Sequence, residues 1–169
     1  ASAILVATAA LTGCNQETKN ISQQSPDLIE SYQSRLNIYT PVTLTTDLSH
    51  LSDNQKKMLA LLIEASDIVD GLFWQQAFGT DKTAFLSAIK DEKVRKFAEI
   101  NYGPWDRLDG DKAFFKGIQE KTLGAEFYPH DMTKEEFESA DFSDKKGLYS
   151  LVRRGKNGQL TSIAYSEAY

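Results

Sequence analysis

One long run of apolar residues at helical spacing does most to limit what this chain can fold into. Met58, Leu61, Leu62, Ala65, Ile68, Val69, Leu72 and Phe73 recur three and four apart, which lines them along one face of an α-helix. Ser52-Asp53-Asn54-Gln55 stands directly before them as a capping box, in which serine and glutamine satisfy backbone N–H groups that the first turn leaves open. The spacing predicts a helix from about Asp53 to Gln76, ended by Gly79. Asp81 can cap a second helix over Lys82 to Asn101. Its apolar face would carry Phe85, Leu86, Ile89, Val94, Phe97 and Ile100, and Gly103-Pro104 would stop it. Both helices are amphipathic, so they are expected to pack on each other. The stripe Leu72, Phe73, Trp74 and Phe78 reads as core rather than a ligand box, because aromatic rings bury so much area.

Upstream, Leu28 to Leu48 has scattered apolar residues, and Ile38 to Leu44 is β-branched but broken by Pro41, which suits extended edge structure or a loop. Downstream, Gly103 to Asp131 mixes glycine, proline and aromatic residues with no period. A loop carrying Trp105, Phe114, Phe115, Phe127 and Tyr128 must either pack down onto the helices or receive a partner surface. Thr133-Lys134-Glu135-Glu136 is a second capping box, opening a short helix to about Ala140. Leu148 to Arg154 and Gln159 to Ser166 flank Gly155-Lys156-Asn157-Gly158, a hairpin signal with Asn-Gly at the bend. The fold class that results is α+β and helix-dominated: amphipathic helices plus a C-terminal antiparallel β-hairpin. Isolated hairpins are marginal in water, so the second strand is expected to pair with residues outside this sequence.

The chain divides into three stretches. Residues 1–13 hold the apolar run Ala1 to Leu11, too short to cross a membrane as a helix, and end in Leu11-Thr12-Gly13-Cys14, which resembles a bacterial lipobox. Cys14 is then the lipid attachment point of a signal-peptide remnant. No Lys or Arg precedes Ile4 and no Met opens the chain, as expected if it begins inside the signal peptide. Residues 14–27 form a polar tether, and residues 28–169 the folded part. The expected location is the bacterial cell envelope, held to a membrane by acyl chains and facing the periplasm or the outside.

At 169 residues the chain is about one domain, able to bury roughly two-thirds of its unfolded surface. Its formal charge of −5, with 19 Lys and Arg against 24 Asp and Glu, argues against nucleic acid as a partner. A single cysteine excludes a disulfide scaffold. Only His50 and His130 are available to a metal, they lie far apart, and no Glu follows either, so no His-Glu zinc motif is present. No serine sits in a nucleophile elbow, and no glycine spacing makes a phosphate cradle. Asp106-Arg107-Leu108-Asp109-Gly110-Asp111 has the look of a calcium loop, but Leu108 occupies a ligand position, and a solvated turn is the better reading.

The phrases Asn101-Tyr102-Gly103-Pro104-Trp105-Asp106-Arg107-Leu108-Asp109-Gly110-Asp111, Gly124-Ala125-Glu126-Phe127-Tyr128-Pro129 and Asp131-Met132-Thr133-Lys134-Glu135-Glu136-Phe137 resemble the N-terminal region of bacterial proteins of the dipeptidyl peptidase III family. Tyr149-Ser150-Leu151-Val152-Arg153-Arg154, with Gly158-Gln159-Leu160 and Ala164-Tyr165-Ser166, looks like that family's next segment, so the likeness runs from about Leu36 to Tyr169. It implies a zinc metallopeptidase with two lobes about a cleft, which removes dipeptides from the amino end of peptides. The family holds zinc by two histidines of a His-Glu-x-x-x-His helix and a downstream glutamate, and the motif glutamate activates the metal-bound water. None of these residues has a counterpart here.

The resemblance therefore implies the N-terminal part of such an enzyme, with zinc and peptide substrate belonging to the complete protein. The fragment alone is expected to bind no zinc and to cleave nothing. Tyr102, Trp105, Asp106 and Arg107 are candidates for cleft or interlobe contact, and the loop Tyr102 to Tyr128 is expected to pack against the missing remainder. The alternative is a small lipid-anchored binding or adaptor module of the cell envelope, whose exposed aromatic loop captures a partner.

Overall fold

A computed structural model describes residues 25–169; Cys14, the lipobox and most of the tether lie outside the described residues. Helix α1 spans Asp53–Ala77 and begins where the capping box places it. Ser52 Oγ accepts from the Gln55 backbone N–H at 3.4 Å, and Gln55 Oε1 accepts from the Ser52 N–H at 2.8 Å. The second predicted helix is in fact two, α2 (Lys82–Ala88) and α3 (Glu92–Ile100). The apolar spacing jumps by five between Ile89 and Val94, so one continuous helix would set them about 140° apart. Instead Ile89 is extended, and Asp91 caps a fresh helix by accepting from the N–H groups of Lys93 and Val94 at 2.8 and 3.0 Å. Both apolar residues then reach the core.

That core is aromatic. Trp74 of α1 meets Phe85 of α2 with ring centres 6.0 Å apart, and Phe97 of α3 meets Phe114 edge-on at 5.0 Å. Phe114 and Phe115 come from the loop that lacked any period, and both are buried among Tyr32, Phe85 and Phe97. The first of the two alternatives for this loop therefore holds over its middle: it packs down onto the helices. Tyr32 belongs to a 3₁₀ helix, Glu30–Asn37, that the scattered apolar pattern upstream did not signal. The chain just before it pairs with the loop, Ile29 N–H donating to the Phe114 carbonyl and Lys116 N–H to that of Asp27. Ile38 to Leu44 carries no regular structure.

Two short strands, β1 (Trp105–Asp106) and β2 (Lys112–Ala113), pair antiparallel around the turn at Gly110. A 3₁₀ turn, Ala125–Phe127, lies against α1. Helix α4 (Lys134–Ser139) starts at Thr133, whose hydroxyl accepts from the Glu136 N–H. The hairpin forms as the Asn-Gly bend requires: β3 (Ser150–Arg154) pairs with β4 (Leu160–Ala164), with Val152 opposite Ser162. A last turn, α5 (Tyr165–Ala168), follows. The architecture is α+β and helix-dominated, as expected. Among the described residues no helix is long and apolar enough to cross a membrane.

One expectation fails. The two predicted helices do not pack along each other; only the last turns of α1 meet α2. From Asp53 to Val69 nearly every side chain of α1 is exposed, including Leu61 at 64%, Ile63 at 63% and Ile68 at 69%. The apolar face is present as the sequence indicates, but the described residues do not cover it.

Candidate functional site

The residues from Asn101 to Arg107 turn the chain out of α3 and gather side chains from three elements. Helix α3 closes with the Gly103 N–H donating to the Ala98 carbonyl and the Tyr102 N–H to that of Glu99, both at 3.1 Å. This is the Schellman arrangement, whose left-handed position usually belongs to glycine. Here Tyr102 occupies it with φ of 53°, a conformation that costs a bulky residue of order 1 kcal/mol or more. The side chain explains why a tyrosine is held there. Its hydroxyl donates to Asp70 of α1 in a short hydrogen bond, and its ring meets Phe73 edge-on at 4.7 Å. Asp70 also accepts from Lys82 Nζ at 2.8 Å, so Tyr102 ties the ends of α1, α2 and α3 together. The Asp70 carboxylate pushes the Tyr102 phenol above its ordinary range, while Lys82 first and Tyr102 second hold Asp70 below the usual carboxylate range.

Asp106 lies at the bottom of the same turn, fully buried. Arg35 Nε of the 3₁₀ helix donates to its Oδ2 at 2.5 Å, and the Leu108 N–H donates to its Oδ1 at 2.9 Å. Buried Asn101 braces the turn from behind, accepting from the Arg107 N–H at 3.0 Å and donating to the Phe97 carbonyl. Trp105 stacks edge-on against Phe78 and donates from its indole to the Gln119 carbonyl. The Arg107 guanidinium sits 5.1 Å from the ring centres of both Phe73 and Tyr102. Of the four sequence candidates, then, Asp106 is buried, Tyr102 and Trp105 are half-buried among aromatic rings, and Arg107 is exposed.

The remaining carboxylates of the calcium-like stretch are also occupied. Asp109 accepts from Tyr32 Oη and Lys112 Nζ, and Asp111 from Lys121 Nζ. Burial first, and Asp109 second, push the Tyr32 phenol up to about 12. With each acid spoken for by a different cation, the stretch makes a braced turn rather than a cage for calcium. No group of three or more His, Cys, Asp and Glu side chains among the described residues could hold a metal ion. His130 faces Glu126 at 3.0 Å on the surface, and His50 lies exposed in the turn before α1.

A second polar knot holds the hairpin. Arg154 Nε donates to both oxygens of Asp131, while its two terminal nitrogens reach Glu136 at 2.7 and 2.9 Å. This pairing lowers both carboxyls from ordinary values of 3.8 and 4.5. A depressed carboxyl stabilises the folded state above its unfolded pKa, and that contribution disappears as pH falls through the folded value. Docking of the hairpin on α4 is therefore expected to weaken below about pH 4, and earlier at high salt because Asp131 is exposed. Amide chemical shifts of Leu151 and Val152 followed from pH 6 to pH 2 check this, and Arg154→Gln should remove most of the pH dependence. Sequence reasoning missed Arg154, Arg35 and Asp70. Asp70 gave no distinguishing signal, being one of three acids, with Glu64 and Asp67, along the same stretch of α1.

Between this knot and the end of α1 opens a cleft of about 880 Å³, lined by Trp74, Lys82, Glu126, Arg153, Arg154 and Tyr169 among others. It contains both signs of charge, Lys82, Arg153 and Arg154 facing Asp81, Glu126 and Glu167.

No family model matches the sequence. A Nudix hydrolase 3 of Arabidopsis thaliana is 28% identical over a 200-residue alignment that takes in 82% of this chain and 26% of that protein. A solved structure, dipeptidyl-peptidase III from Corallococcus sp. strain EGB, superposes with a TM-score of 0.70 at 30% identity, over 80% of this chain and 28% of that one. The chain thus spans about a quarter of the length of each relative.

Proposed function

We propose that this chain is the N-terminal portion of a zinc-dependent exopeptidase that removes dipeptides from the amino end of peptides, and that it braces the catalytic body rather than performing the chemistry. The observation that carries this reading is the likeness to a dipeptidyl-peptidase III, in which sequence identity and backbone superposition cover the same four-fifths of the chain. The described residues do not fit zinc themselves: neither histidine has two further ligands beside it. Zinc, the general base and the peptide would be held by residues beyond this stretch. Tyr102, Trp105 and Asp106 would then set the relative placement of α1, α2 and α3 against that body. The name Nudix hydrolase is not carried over, since that likeness is one of sequence alone at 28% identity, whereas the dipeptidyl-peptidase III adds a backbone superposition to 30% identity. The alternative, a lipid-anchored adaptor whose aromatic loop captures a partner, is separated from this reading by the extent of the open reading frame.

The test is to express the whole reading frame that contains these residues and to assay release of dipeptides from a dipeptidyl-naphthylamide. The expected result is release that a chelator abolishes and zinc restores, with residues 1–169 alone no better than buffer. A whole protein that leaves the substrate intact, or a 169-residue chain that cleaves it in a chelator-sensitive way, would overturn the reading. In the same protein, Cys14→Ser is expected to move it from the membrane fraction to the soluble fraction, because Cys14 is proposed as the lipid attachment point.

A further inference from the structure

The uncovered half of α1 is too apolar, and over too wide an arc, for a single flat contact. At ~100° per residue, Ile68, Leu61, Met58, Val69 and Leu62 occupy about 120° of the helix circumference, and Ile63 lies about 100° further round, beyond Gln55 and Ser66. The first five already fill the ~100° stripe with which a surface helix faces one core, Ile63 stands outside it, and all six side chains are exposed by half or more. A second copy of the helix laid alongside would cover one face and leave the rest in water.

The stripe also ends on a charge. Phe73 shares its face with Leu62 and Val69, and the Arg107 guanidinium rests on Phe73 and Tyr102. Among the described residues no carboxylate pairs with Arg107, and Asp70, the α1 acid bound to its neighbour Tyr102, is taken by Tyr102 and Lys82. A planar guanidinium held against two rings, with its donors free, is arranged for bidentate contact with a carboxylate.

We propose that Asp53–Val69 of α1 is enclosed by polypeptide of the same protein lying outside residues 1–169, through an apolar element that wraps the helix and carries a carboxylate onto Arg107. This rests on the reading above in one respect: the chain corresponds to only 28% of the solved relative, which leaves ample polypeptide to supply the cover.

Thiol labelling tests it. In a Cys14→Ser background, Ile63→Cys is made both in the 169-residue chain and in the protein from the whole reading frame, and each is treated with a water-soluble maleimide. Cys introduced at position 63 is expected to react in the short chain within about threefold of its rate in urea, and at least a hundredfold more slowly in the long one. Adding Arg107→Glu should raise the slow rate tenfold or more in the long protein and leave the short chain unchanged. Equal rates in both proteins overturn the proposal, as does a reading frame that stops after Tyr169. Protection already present in the short chain overturns it too. Loss of that protection on dilution would identify a second copy as the cover, and loss on removal of residues 1–24 would identify the chain's own amino end. A long protein that protects position 63 yet releases no dipeptide would sink the peptidase reading and leave this one standing.

Discussion

Replacing Phe114 by alanine is expected to destabilise the 169-residue chain by about 3–5 kcal/mol, the range for emptying a buried aromatic site. Phe114 is fully buried, and its ring lies against Tyr32 of the 3₁₀ helix, Phe97 of α3 and its neighbour Phe115. A domain of this size has only about 5–15 kcal/mol in hand, so the melting temperature should fall by roughly 10 °C. Phe114→Leu, which still fills most of the site, should cost about 1–2 kcal/mol. Calorimetry or urea unfolding of the three proteins checks the series. If the loop from Tyr102 to Tyr128 were an open surface waiting for a partner, the alanine variant of the short chain would melt within a degree or so of the parent.

The second large effect is expected at Asp106. Its carboxylate is fully buried and takes two donors, Arg35 Nε and the Leu108 N–H. Asp106→Ala removes a charge-assisted hydrogen bond, worth about 1.5–3 kcal/mol, and the cap of the 3₁₀ turn Arg107–Asp109, worth about 1. The sum is about 2–4 kcal/mol, because Arg35 is part-exposed and can turn to water once its partner has gone. Arg35→Ala should be the more harmful change, since it strands the acid itself in the interior. Urea unfolding of both variants and of the double variant tests this. A double variant no worse than Arg35→Ala alone would be the signature of a pair that acts as a unit.

Much of the fold was legible from local signals. Ser52, Thr133 and the Asn157-Gly158 bend each fix their element through backbone chemistry contained in a few residues, and α1, α4 and the hairpin stand where those residues put them. The break between α2 and α3 was also written locally, in the five-residue step from Ile89 to Val94 and in Asp91, but no glycine or proline punctuated it. The irregular aromatic loop hid its role because its burial depends on partners as distant as Tyr32 and Phe97. The same holds for the site. Arg35 and Asp106 are separated by 71 positions, and Arg154 and Asp131 by 23, so neither pairing leaves a periodicity to read. Asp106 and Arg107 were adjacent candidates, yet the turn sends one inward and the other out.

The central claim is that these residues build one finished aromatic core and one unfinished helix. Hydrogen exchange measured residue by residue on the 169-residue chain, and again on the protein from the whole reading frame, tests it most directly. An uncovered helical arm of this length is marginal in water, so its amides from Lys57 to Val69 should show protection of about tenfold or less in the short chain. Those of Val94, Phe97 and Ala98 should exchange only through global unfolding, and in the long protein both groups should be slow. Amides of Lys57 to Val69 as protected as Phe97 in the short chain would mean that the helix is already complete, and would contradict the account.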